Sequence, residues 1–167
     1  RRIARPYAGD SDGDIVRTTL TGMKEDLFDL LGYAERSWPS SPRIVIANSL
    51  SGRVALKAAA ERNSMSLLIL LNSIVDVKST LLAVHQEDLV GNHEKGARRG
   101  VTNVLGFNVD LDRWLDDAIG QRHADLHTTI TDADSIRTPV IFFTAEHGAW
   151  IHHHAVKKVQ DDLGPHL

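Results

Sequence analysis

The sequence predicts an α/β domain: a mainly parallel sheet in a three-layer core, with a helical segment inserted between two of its strands. Three observations lead there. The apolar runs inside RIVIAN (43–48) and LLILL (67–71) have no polar alternation, which suits strands covered on both faces of a parallel sheet. SGRVALKAAAER lies between them with helical character, completing a strand–helix–strand succession of the kind that crosses over right-handed. Late in the chain TPVIFFTA (138–145) and HHHAVKKVQDDL (152–163) repeat the strand-then-helix pattern.

Taken in order, the chain begins with a loop. GDSDGD (9–14) combines turn formers without periodicity. From about Thr18 to Glu35, Leu20, Met23, Leu27, Leu30 and Leu31 fall at helical spacing with charges opposite, an amphipathic helix. RSWPSSP breaks it with two prolines and three serines. After the strand–helix–strand unit, Asp76 to Arg137 shows no clear strand. DVKSTLLAVH and DLDRWLDDAIGQRHADL read as helices separated by GNHEKGARRG, so residues of about 77–136 are expected to form a cap over a single domain.

Composition narrows the function classes. A chain of 167 residues suits one domain, and 25% charged with 42% apolar residues is an ordinary globular balance. The formal charge of −3 with scattered basic residues argues against a nucleic-acid partner. With no cysteine, disulfides, thiolate metal sites and cysteine nucleophiles are excluded. No apolar run approaches the ~18 residues of a membrane span, and RRIARPYAGDSDGDIV has no apolar core for a signal peptide. A cytoplasmic protein is the expectation. The chain opens on Arg1 rather than Met, as an excised or incomplete chain would.

The chemistry concentrates at Ala47-Asn48-Ser49-Leu50-Ser51, where strand passes into helix. A serine at such a turn stands above the sheet edge, with the first-turn N–H groups of the new helix aimed toward it. Donors so placed stabilise the oxyanion of a tetrahedral acyl intermediate. G-x-S-x-G is the commoner form of this turn; here both flanking positions are small, and Gly52 follows. Serine is equally a preferred N-cap, and the motif alone leaves nucleophile and cap both open.

The stretches IANSLSGRVA, SIVDVKSTL (Ser73 to Leu81) and TPVIFFTA together resemble the acyl transferase (myristoyl-ACP thioesterase) family of the bacterial bioluminescence system. Its elbow has the form A-x-S-x-S, followed by Ala or Gly and then Arg. The resemblance runs from about Gly9 to Leu163 and includes the helix entrance DIVRTTLTGMKEDL. It implies an α/β-hydrolase-like fold that cleaves long-chain acyl thioesters, on acyl carrier protein or coenzyme A, through an acyl-serine in fatty-acid and aldehyde metabolism. Ser49 would be the nucleophile and Leu50 would supply an oxyanion N–H. The cap and STLLAV would line the acyl pocket, with no cofactor and no metal.

Two helpers depart from that pattern. The family's triad acid lies in a segment ending Asp-Asp-Trp; here the segment is EHGAW, with Gly148 at the acid's position and Ala149 after it. Glu146 is the candidate substitute acid. The family's histidine follows one further strand, so the chain reads as a partial domain shortened at both ends, and its base is left unassigned. Of His147, His152, His153, His154 and His166, none matches the base's position; His147 and the HHH triplet cluster near the acid segment, where solvated residues around a helix start are their simpler reading. A zinc site from Glu146, His147, His152 and His154 is the weaker reading, because adjacent histidines on a helix diverge by about 100°. The alternative to an enzyme is a hydrolase-like module that binds acyl chains or a partner without catalysis. Asp110 to Gln121 would be an acidic partner surface or a solvated cap face.

Overall fold

The computed structural model describes residues 13–104, 106–147 and 152–163. Its main sheet has three parallel strands, β1 (Ile44–Asn48), β2 (Leu67–Leu71) and β5 (Val140–Phe143), in the order β1-β2-β5. Ala47 pairs with Leu70, and Leu70 with Phe142, which sets the side chains of all three strands in common rows. The expected α/β class with a parallel sheet is what the chain forms.

One face of this sheet is packed. Ala47, Leu68 and Leu70 meet Phe28 and Leu31 of α1 (Leu20–Ser37), Ala55, Leu56 and Ala59 of α2 (Leu50–Glu61), and Val156 and Val159 of α7 (His153–Asp162). Leu56, Leu68 and Leu70 are completely buried. At roughly 1.5–3 kcal/mol for each such side chain, this layer anchors β1 and β2. The other face is apolar too, but among the described residues it carries exposed Ile44, Ile46, Ile141 and Phe143. An unbroken apolar run accounts for apolar side chains on both faces; it does not say which face the described helices cover.

Between β2 and β5 the chain forms α3 (Val77–His85), α4 (Leu89–Glu94), β3 (Val101–Val104), β4 (Phe107–Asp110), α5 (Leu111–Gly120) and α6 (Leu126–Ala133). The antiparallel hairpin β3–β4 corrects the expectation of a strandless stretch. Its two four-residue strands turn at Gly106, whose φ of 89° suits glycine. The segment Asp110 to Leu126 is helical only over α5, Leu111–Gly120; a turn with Arg122 at a left-handed φ of 59° follows, and α6 begins at Leu126. A second core joins Leu81, Leu89, Val90, Val104, Val109 and Trp114 beneath the N-terminal end of α1, where Leu20 and Met23 close it. The long helix α1 therefore ties the inserted elements to the sheet: its first turns pack on one core and Phe28 and Leu31 on the other. A short 3₁₀ turn, Ile15–Arg17, lies against β4.

Candidate active site

The turn from β1 to α2 occupies a single residue, Ser49, with φ 54° and ψ −125°. A non-glycine residue held there costs on the order of 1–3 kcal/mol and persists only where its surroundings impose it. They do so through the backbone. The Ser49 N–H donates to the Leu71 carbonyl at 3.0 Å, and its own carbonyl accepts from Gly52 at 3.0 Å and Ile74 at 3.1 Å.

Ser49 occupies the N-cap position of α2, yet its side chain makes no capping hydrogen bond. The contrast within the molecule is sharp. Thr19, Asp76, Asp88, Asp110 and Asp125 each accept an N–H from the first turn of the helix they precede. The best cap chemistry is thus used at α1, α3, α4, α5 and α6 and not at α2, where the exposed Ser49 side chain makes no capping bond. The Leu50 amide opens α2 with no helical carbonyl behind it, the arrangement that offers a donor to an anion.

Sequence reasoning assigned the need for small residues to Ala47 and Ser51; the tightest approach lies one residue further on. A Cβ on Gly52 would come within 2.1 Å of the Ser73 Oγ and 2.3 Å of its Cβ. Gly52 lets α2 start directly above the turn that follows β2. The Ser73 hydroxyl beneath it is buried and has no hydrogen-bond partner among the described residues. In the sequence Gly52 stood out only as the residue after the motif, and Ser73 only as the start of the stretch SIVDVKSTL.

Glu146 lies three residues beyond the end of β5 and is exposed. Because β2 separates β1 from β5, Ser49 and the β5 exit emerge from the same sheet edge two strand spacings apart, roughly 10 Å. That gap rules out a direct hydrogen bond between the strand ends. Asn72 braces the far side: its N–H donates to the Phe143 carbonyl and its Oδ1 accepts the Ala145 N–H, both at 2.7 Å. Gly148, Ala149 and His166 lie outside the described residues. His147, His153 and His154 are exposed, while His152 is half-buried at the N-cap of α7 without capping it. Among the described residues no group of three His, Cys, Asp or Glu side chains is arranged to hold a metal.

Behind the elbow, on the second turn of α2, Arg53 is completely buried. It donates to the carbonyls of His123 at 3.2 Å and Arg122 at 2.8 Å, and to Asp132 at 2.7 Å; Lys57 takes the other Asp132 oxygen at 3.0 Å. Burial lowers the Arg53 pKa and Asp132 opposes the shift, so the guanidinium keeps its charge by pairing. The adjacent His123 is also fully buried, with neither ring nitrogen partnered among the described residues. Burial first, then the Arg53, Lys57 and Lys24 charges, push its pKa down to about 3. The guanidinium pins the left-handed turn between α5 and α6 to the helix that starts at Ser49.

The structure bears on two expectations about the inserted elements. In STLLAV, Thr80 and Leu81 are packed inside the structure, and only Leu82 presents a large apolar side chain outward, 47% exposed. The acidic helix α5 spends its carboxylates internally: Asp112 accepts from the Arg99 and Gly100 amides, Asp116 meets His93 at 2.7 Å, and Asp117 accepts the Thr21 N–H at 2.9 Å. This favours the cap-face reading over a partner surface. No helix among the described residues is long and apolar enough to cross a membrane.

A parallel sheet flanked by helices, with a strained serine at one strand-to-helix turn, defines the class: an α/β protein. The chain belongs to the acyl transferase family, whose profile matches residues 4–166. It is 22% identical over 157 residues to an acyl transferase of Photobacterium phosphoreum, covering 94% of this chain and 51% of that protein. Two acyl transferases of Photobacterium leiognathi are 25% and 26% identical over the same length, with 49% and 50% of their own lengths covered. The chain spans about half the length of these relatives.

Proposed function

We propose that this chain carries the nucleophile of a serine acyl transferase or thioesterase acting on long-chain acyl thioesters. The observation that carries the reading is the conformation of Ser49: a strained residue at the N-cap of α2 whose side chain does not cap. In the proposed reaction the Ser49 Oγ attacks the thioester carbonyl as its proton passes to a base, and the Leu50 amide helps hold the oxyanion. Collapse breaks the C–S bond, the thiolate leaves with that proton, and water or another acceptor then attacks the acyl-serine. The base is a histidine entering the gap between the β1 and β5 exits, and no histidine of this sequence is assigned that part. Glu146 orients it from the β5 side, taking the part of an acid that Gly148 cannot play. The inserted elements from α3 to α6 act as the cap over the acyl chain, and an acyl carrier protein or coenzyme A delivers it.

Glycine at 148 also favours a second reading, an acyl-binding module without turnover. Intact-mass analysis after mixing the full chain with a long-chain acyl thioester separates the two. An acyl adduct on Ser49, together with fluorophosphonate labelling that Ser49→Ala abolishes, is expected of the enzyme. A folded protein with neither adduct nor label leaves only the binding module.

A further inference from the structure

The turn leaving β2 touches both sides of the candidate site. Toward β1, its Leu71 carbonyl and Ile74 N–H hold the two backbone polar groups of Ser49. Toward β5, Asn72 holds the Phe143 carbonyl through its own N–H and the Ala145 N–H through its side chain. Asn72 does this from a left-handed φ of 46°. Asparagine tolerates that region better than other side-chain-bearing residues, and its short amide is what reaches across. The residue next after Ala145 is Glu146.

We infer that Asn72 is a positioning residue: through the Ala145 amide it fixes the β5 exit loop, and with it Glu146, relative to the Ser49 elbow. The inference rests on the acyl-serine reading and names what holds its acid in place. Ala145 is exposed, so its amide could find water instead. What the Asn72 bond then supplies is register between loop and elbow rather than satisfaction of a buried group. Register matters because the acid–base–nucleophile line spans roughly 10 Å across three strands, and misplacement by about 1 Å can cost a hundredfold in rate.

The test uses two substitutions in the full chain. Asn72→Gly suits φ 46° but removes the acceptor; Asn72→Asp keeps an acceptor oxygen and the tolerance of that conformation. Ser49 phosphonylation by a long-chain fluorophosphonate is timed, and amide hydrogen exchange is followed at Ala145 and Ser49. Asn72→Gly is expected to speed exchange at Ala145 and slow labelling about tenfold, with Asn72→Asp restoring both. Adding Glu146→Gln to Asn72→Gly should slow labelling no further, since both changes act through one carboxylate. Wild-type labelling in Asn72→Gly, or full additivity with Glu146→Gln, overturns the inference. Failure of the acyl-serine reading looks different, because wild type itself then goes unlabelled. In that case exchange decides the coupling: Ala145 opening in Asn72→Gly with no change at Ser49 overturns it, and both opening together upholds it.

Discussion

The buried histidine behind the elbow makes stability pH-dependent in a way that can be worked out. His123 has a folded pKa of about 3 against an ordinary 6.5, lowered first by burial and then by the cations Arg53, Lys57 and Lys24. Above pH 6.5 the imidazole is neutral in both folded and unfolded chains and costs nothing through protonation. As pH falls from 6.5 toward 3, the unfolded chain takes up a proton that the folded chain refuses, so stability is lost through that window and the loss levels off below it. Each pH unit costs about 1.4 kcal/mol. Between pH 7.5 and 4.5 the loss is therefore about 3 kcal/mol, a large part of the 5–15 kcal/mol typical of a domain.

Other groups also bear on stability over that range, so the comparison is made with His123→Leu. Leucine cannot take a proton, and it leaves the backbone carbonyl that Arg53 uses. Urea unfolding followed by circular dichroism at pH 7.5 and 4.5 gives the difference in stability between wild type and variant. Wild type should lose about 3 kcal/mol more than His123→Leu over this interval. At pH 7.5 the variant should be no less stable by more than ~1 kcal/mol, because the imidazole nitrogens it removes were unpartnered. Parallel losses in the two proteins would refute the reasoning and place His123 in contact with water.

The remaining predictions concern the elbow and its support. Gly52→Ala should destabilise by about 1–3 kcal/mol through collision with Ser73, and Ser73→Gly in the same chain should recover most of it, measured as a double-mutant cycle. Ser49→Ala should change stability by less than about 0.5 kcal/mol while Asp125→Ala loses about 1 kcal/mol, because only Asp125 caps its helix. Ser49→Gly should leave the protein as stable or up to about 1 kcal/mol more stable by relieving the backbone at φ 54°, read from chemical denaturation. Arg53→Met should cost about 3 kcal/mol or more, since it strips both carbonyls and half of the Asp132 carboxylate of their buried partner.

What could be read from the sequence followed from local signals. β1, β2 and β5 were legible because apolar runs bounded by turn formers carry their own evidence, and α1 and α2 because their periodicity extends over several turns. The hairpin β3–β4 was not legible. Its strands VTNV and FNVD mix one or two apolar residues with asparagine and aspartate, and pairing with each other, a non-local event, is what makes them strands. The break at Arg122 was hidden for a related reason: its left-handed turn is held by Arg53, many residues earlier in the chain.

The elbow divides along the same line. Ser49 could be singled out by its neighbours in sequence, but every group that holds it strained comes from the turn after β2 or from Gly52 against that turn. The same turn, through Asn72, holds the loop that carries Glu146. A motif scan centred on A-x-S-x-S therefore sees the serine and not its frame, because the frame is built by a neighbouring strand. This also explains why serine is left uncapping at α2 in a chain that caps five other helices with Thr or Asp. An N-cap side chain bonds the first helical turn from an extended backbone, whereas the bonds from Leu71 and Ile74 fix Ser49 at positive φ. Nucleophile and cap were alternatives in the sequence; in the folded backbone the geometry of this position disfavours the cap.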